Sequence, residues 1–110
     1  MNGAYKAAFI IPAKASKVFD DTGWTFRSAE RLPERIMVEL AHAMHLSDST
    51  FYLGLEARES GKAKVTAIRD DSGQIEHISL QLRDSTADEL RALLVAAGVN
   101  DLEVFVPPAH

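Results

Sequence analysis

TFYLGLEARESGKAKVTAIRDDSGQIEHISLQLR, residues 50–83, decides the fold class of this chain. Apolar side chains recur at every second position in successive runs: Phe51, Leu53, Leu55 and Ala57, then Ala63, Val65 and Ala67, then Ile78, Leu80 and Leu82. A period of two is that of a strand with one face buried and one face wet. Ser60-Gly61 and Ser72-Gly73 separate the runs, so three consecutive strands in an antiparallel meander are expected.

The pattern also fixes an expected register, because a slip of one residue turns the whole apolar set toward water. A two-residue turn at Ser72-Gly73 places Arg69 opposite Glu76, Ala67 opposite Ile78 and Val65 opposite Leu80. It sets Lys64 against Gln81 and Thr66 against Ser79 on the other face, with Ile68 and His77 a mixed pair. A two-residue loop at Ser60-Gly61 would put Leu55 against Thr66, out of phase. A three-residue loop, 60–62, restores Ala57 opposite Val65 and Leu55 opposite Ala67, so the longer turn or a bulge is expected there.

Upstream, residues 5–11 read as a strand with Tyr5, Ala7, Phe9 and Ile11 on one face; Ile10 on the other face marks it as central, and Pro12 ends its ladder. Residues 13–32 are less regular. Lys17-Val18-Phe19 and Trp24-Thr25-Phe26 flank the turn-like Asp20-Asp21-Thr22-Gly23, which fits a small hairpin or an ordered loop. Pro33 suits the first turn of a helix running to about Leu46, with Ile36, Met37, Leu40, Ala41, Ala43 and Met44 as its apolar stripe.

After Arg83 the period lengthens. Thr86 and Glu89 form a capping box, Leu90, Leu93, Leu94 and Ala97 make one face, and Gly98 suits the left-handed position past the last turn. Leu102, Val104 and Val106 alternate up to Pro107 as a short final strand. The expectation is one α+β domain spanning residues 1–110: a single-layer antiparallel or mixed sheet of about five strands with a central three-stranded meander. Two α-helices pack on one face, in the order β-α-β-β-β-α-β.

Composition narrows the function classes. The chain has no cysteine, which removes disulfides, thiol nucleophiles and thiolate metal sites and points to a reducing compartment. The apolar run Ala7 to Ile11 is too short for a signal peptide, and no stretch is long enough to span a bilayer, so a soluble cytoplasmic protein is expected. A net charge of -4 argues against nucleic acid as the main partner, since duplex binding draws on Lys and Arg neutralising phosphates. It favours instead a protein with a basic surface.

Candidate sites are few. Glu39, His42 and His45 follow at intervals of three, but the H-E-x-x-H arrangement of a catalytic zinc helix is missing. His77 and Ser79 share a strand face opposite Thr66, without a Gly-x-Ser-x-Gly elbow, and cross-strand hydrogen bonding accounts for them. The glycines are dispersed, so no phosphate loop is present. No catalytic residue, cofactor or metal is therefore assigned. The expected partner-binding residues are the carboxylates Asp20, Asp21, Glu56, Asp70, Asp71 and Glu76 together with the lone tryptophan, Trp24, an aromatic anchor beside acids being suited to a basic protein surface. Glu56, Arg58, Lys64 and His77 on the outer face of the meander form a second possible contact surface.

In size, acidity, lack of cysteine and lack of a site, the chain resembles bacterial immunity proteins that neutralise nuclease-type toxins by occluding them. The resemblance is one of class and implies no particular residues. The alternative is a self-associating regulatory or small-ligand-binding domain in which an open sheet edge pairs with a second copy.

Overall fold

The computed structural model describes residues 6–47, 49–52, 54–61, 63–82, 87–96, 98–99 and 101–107. Along the chain these form β1 (Lys6–Pro12), β2 (Ser16–Asp20), β3 (Gly23–Arg27), α1 (Arg35–Met44), β4 (Thr50–Tyr52), β5 (Leu55–Glu59), β6 (Ala63–Arg69), β7 (Ile75–Leu82), α2 (Ala87–Ala96) and β8 (Leu102–Phe105). Among the described residues, six strands make one antiparallel sheet in the order β4-β5-β6-β7-β1-β8, and β2 and β3 make a separate two-stranded ribbon. The class is α+β as expected. The strand count and the element order are richer than expected, for two reasons: residues 16–27 are a true hairpin, and the first strand of the meander is two strands rather than one.

Both helices lie against one face of the sheet. Ile36, Met37, Leu40 and Met44 of α1 and Leu90 and Leu94 of α2 share a single buried cluster with Ala8, Ile10, Val65, Ala67, Ile78, Leu80 and Val104. Helix α1 is shorter than its apolar period suggests, because His45 takes a left-handed conformation (φ 54°) that closes the helix; the Leu46 N–H turns back to the Ala41 carbonyl. Gly98, at φ 76°, occupies the left-handed position expected after α2, and the Val99 N–H reaches the Leu94 carbonyl. The capping box at Thr86 and the helix residue Ala97 lie outside the described residues, as does Tyr5. None of the helices in the described residues is long and apolar enough to cross a membrane.

The register of β6 on β7 follows the sequence from Lys64↔Gln81 through Val65↔Leu80, Thr66↔Ser79 and Ala67↔Ile78 to Ile68↔His77. The next pair does not. Arg69 lies opposite Ile75, not Glu76, so Glu76 is the extra residue of a bulge. The turn causes this: Asp70 accepts from the N–H groups of Ser72 and Gln74, each at 2.9 Å, and donates its own N–H to the Gln74 carbonyl. The turn therefore takes in more than Ser72-Gly73. The bulge has a hydrophobic return, since it rotates Ile75 into the core with no exposed surface and leaves Glu76 half-buried outside it.

The register of β5 corrects the expectation. Chain reversal at Gly54 (φ 82°) makes β4 and β5 a tight hairpin with Tyr52 opposite Leu55, so the alternation from Phe51 to Ala57 does not run along one strand. Ser60 and Ala63 then close the next turn, with the Ser60 N–H on the Ala63 carbonyl at 2.8 Å. Glu56 falls opposite Ala67 and Arg58 opposite Val65, one residue beyond the expected pairing. It is therefore Glu56 and Arg58, not Leu55 and Ala57, that share the helix side of the sheet.

A carboxylate is tolerable there only if paired. Glu56, 6% exposed, accepts from the Arg69 guanidinium and lies within reach of Ser49 and Arg58. Burial alone would raise its pKa, but the Ser49 hydroxyl and then Arg69 more than offset this and hold it below the ordinary value. Arg69 also donates to both oxygens of Glu34 just ahead of α1, at 2.6 and 2.9 Å, and to the Gly73 carbonyl at 2.7 Å. We expect Glu56→Gln to cost about 1–3 kcal/mol in urea denaturation at neutral pH. Because the folded-state pKa is depressed, this contribution is complete above the ordinary value of 4.5 and fades as pH falls through the lower folded value, so wild type and variant converge in acid.

Candidate functional site

The β2–β3 hairpin lies over the face of the sheet opposite the helices, and aromatic side chains hold it there. Phe26 packs on Phe9 at 5.0 Å between ring centroids and on His77 at 5.1 Å, and Trp24 meets Phe105 edge-on at 4.9 Å. Lys17 adds an ion pair to Glu103 at 3.1 Å and stands over the Phe105 ring. Trp24, half-buried between Phe105 and Phe19, is thus part of the clamp that fixes the hairpin.

The same clamp encloses His77. Phe9 and Phe26 rings flank the imidazole, and its Nδ1 is buried without a hydrogen-bond partner. Burial pushes its pKa below the ordinary value. Ser79 lies opposite Phe9 on one side and Thr66 on the other. Aromatic rings beside a histidine give it neither an orienting acid nor a nucleophile to activate, and the arrangement is one of packing.

The structure distributes the expected acidic set over three places. Asp20 sits at the hairpin tip, where it accepts from the Thr22 hydroxyl at 2.6 Å and N–H at 2.9 Å; the hydroxyl and then the N–H lower its pKa. Asp21 beside it is exposed. Asp70 belongs to the β6–β7 turn: it is ion-paired to Arg31 at 2.8 Å, and its pKa is lowered chiefly by that contact. Asp71 is exposed on the same turn, and Glu76 lines a cleft of about 200 Å³ with Pro12, Phe26, Arg27 and Arg31. Glu56, expected on the outer face, lies on the helix side in its ion pair, as does its neighbour Arg58. Lys64 does face outward, whereas His77 is covered by the hairpin.

Glu39, His42 and His45 do not converge. Glu39 is half-buried, His42 exposed, and His45 lies past the helix end in its left-handed turn. Among the described residues no group of three or more His, Cys, Asp or Glu is placed to hold a metal ion.

The surface that the sequence pattern hides is the β4–β5 hairpin. Phe51 is 71% exposed, Tyr52 73% and Leu55 40%, side by side at one end of the sheet. The register puts Tyr52, Leu55 and Ala57 on the outer face, continuous with Thr66 and Ile68 of β6, while Phe51 projects from the other side. Gly54 inside the strand pattern is the signal that marks the reversal, and unbroken alternation on either side of it masks it. No protein-family model, no curated protein and no solved structure matches the chain.

The buried imidazole carries a pH signature. Its folded pKa lies below 6.5, so the unfolded chain takes up the proton first, and stability is complete above that pH and declines below it. We expect His77→Leu to remove this decline. Thermal melts at a series of pH values, followed by Trp24 fluorescence, check it: wild type should lose more stability on mild acidification than the variant.

Proposed function

We propose that the protein is a non-catalytic binding module that meets another protein through the β4–β5 hairpin and the outer face beside it. The supporting observation is the exposure of Tyr52 and Leu55 on the outer face and of Phe51 on the other, large side chains left open to water on one hairpin at the end of the sheet. Exposed apolar surface at a sheet edge marks interaction sites, and tyrosine and phenylalanine are effective anchors because they bring large area at low rotamer cost.

Net charge supports a narrower version of the same reading. At -4, with Asp21 and Asp71 exposed, the chain attracts basic proteins over a distance. That suits an immunity-type inhibitor occluding a nuclease-type toxin domain. In this division of labour carboxylates speed the encounter and the aromatic hairpin supplies the grip.

Capture with the purified protein as bait separates the two contributions. A Phe51→Ser/Tyr52→Ser variant should fail to recover the partner that wild type retains, with an unchanged circular dichroism spectrum. An Asp21→Asn/Asp71→Asn variant should keep the partner but associate more slowly and with weaker salt dependence. Undiminished capture by the aromatic variant overturns the reading.

A further inference from the structure

The backbone of the β4–β5 hairpin, taken as the docking surface proposed above, also determines what fills it when no foreign protein does. Gly54 accepts from the Arg69 N–H at 2.9 Å, and alternation along an antiparallel pair then gives Glu56 and Arg58 the bonds to β6 and Leu55 and Ala57 those to β4. Tyr52 and Thr50, their partners, thus turn their backbone groups into the sheet. Phe51 between them turns its N–H and C=O outward. Strand β4 therefore presents one donor and one acceptor at its rim, on a residue flanked by uncharged neighbours.

The opposite rim differs. By the same alternation, starting from the Ala13 N–H on the Asp101 carbonyl, Val104 points its backbone groups away from β1. The Arg91 guanidinium already occupies that carbonyl, at 2.7 Å, and Pro107 follows with no N–H to offer. Leu102 turns its groups outward as well, but head-to-tail joining of β4 to β8 of another molecule would have to displace Arg91 from the middle of that rim. What stays open is β4 against β4 about a two-fold axis, a pairing in which every contact is its own complement.

The geometry points to a second copy of this chain as the occupant, with β4 antiparallel to its equivalent and the axis passing between the two Phe51 residues. Each Phe51 N–H then donates to the other's carbonyl, the two rings lie side by side, and Thr50 faces Tyr52 across the seam. No unpaired charge is desolvated, because Glu56, the carboxylate across from Phe51, is engaged by Arg69. With Phe51 71%, Tyr52 73% and Leu55 40% exposed, these side chains offer about 300–400 Å² per copy. A standard interface needs about 800 Å² per partner, so the dimer is weak and concentration-dependent.

Sedimentation of the full chain over a concentration series tests this. Wild type should pass from monomer to dimer. Phe51→Glu and Phe51→Lys each set like charges face to face and should weaken association roughly a hundredfold or more. Mixed in equal amounts, the two variants should recover it. Phe51 is solvent-facing, so both variants should keep the wild-type circular dichroism spectrum. A wild type that stays monomeric at every concentration overturns the self-pairing, as does a dimer that Phe51→Glu leaves intact or a mixture that fails to re-associate. In the monomeric case the capture experiment with the Phe51→Ser/Tyr52→Ser variant decides the broader docking reading separately.

Discussion

The ion pair between Glu56 and Arg69 is the constraint on which the arrangement of the sheet's outer strands rests. Its members lie on the helix side of the sheet, the side of the core, and the guanidinium reaches further to Glu34 ahead of α1 and to the Gly73 carbonyl in the β6–β7 turn. One side chain thus fastens a helix start, two neighbouring strands and a turn. Removing water from such a pair costs several kcal/mol per ion, which the mutual attraction offsets only when the remaining hydrogen-bonding positions are filled. Ser49 fills one for Glu56, and Gly73 one for Arg69. The register of β5 is set by this chemistry rather than by the burial of Leu55, which is left facing water.

That is also why the sequence was legible in some places and not in others. The pairing of β6 with β7, the central place of β1, the hairpin around Asp20-Asp21-Thr22-Gly23 and the glycine that closes α2 all follow from local chemistry: side-chain period, turn residues and left-handed positions. The break at Gly54 is a local turn hidden by the alternation on either side of it, and the inward turn of Glu56 goes with its ion pair to Arg69, 13 positions away, which no local period reveals. The bulge at Glu76 has an intermediate status. Its cause, an aspartate bonding forward to two backbone N–H groups, is a recognised property of Asp70-Asp71-Ser72-Gly73, but its effect on which of Ile75 and Glu76 enters the core depends on the sheet around it. Among the candidate site residues, the types were readable and their grouping was not. Acids that look like one set along the chain are divided among the β2–β3 tip, the β6–β7 turn and the helix side of the sheet.

The outer face of the sheet is accordingly two surfaces. Over β7, β1 and β8 it is roofed by the β2–β3 hairpin, whose Phe26 and Trp24 pack on Phe9, Phe105 and His77, with Phe19 against Trp24 and 55% exposed. Over β4, β5 and β6 it is bare among the described residues, with Tyr52, Leu55, Ala57 and Ile68 in continuity. The lone tryptophan, which by composition is the natural anchor for a partner, is half-buried in the clamp, and the most exposed aromatic residues are Phe51 and Tyr52, which the alternation conceals.

The guanidinium of Arg91 on the Val104 carbonyl has a consequence for colloidal behaviour. Runaway cross-β stacking requires each subunit to be sticky at two rims, so that every addition exposes a fresh template. A cation from the chain's own helix on that rim must be displaced before a strand can add over Val104, so the two rims are unequal templates. Inequality of this kind disfavours growth from both sides at once and lowers the risk that a greasy hairpin carries with it.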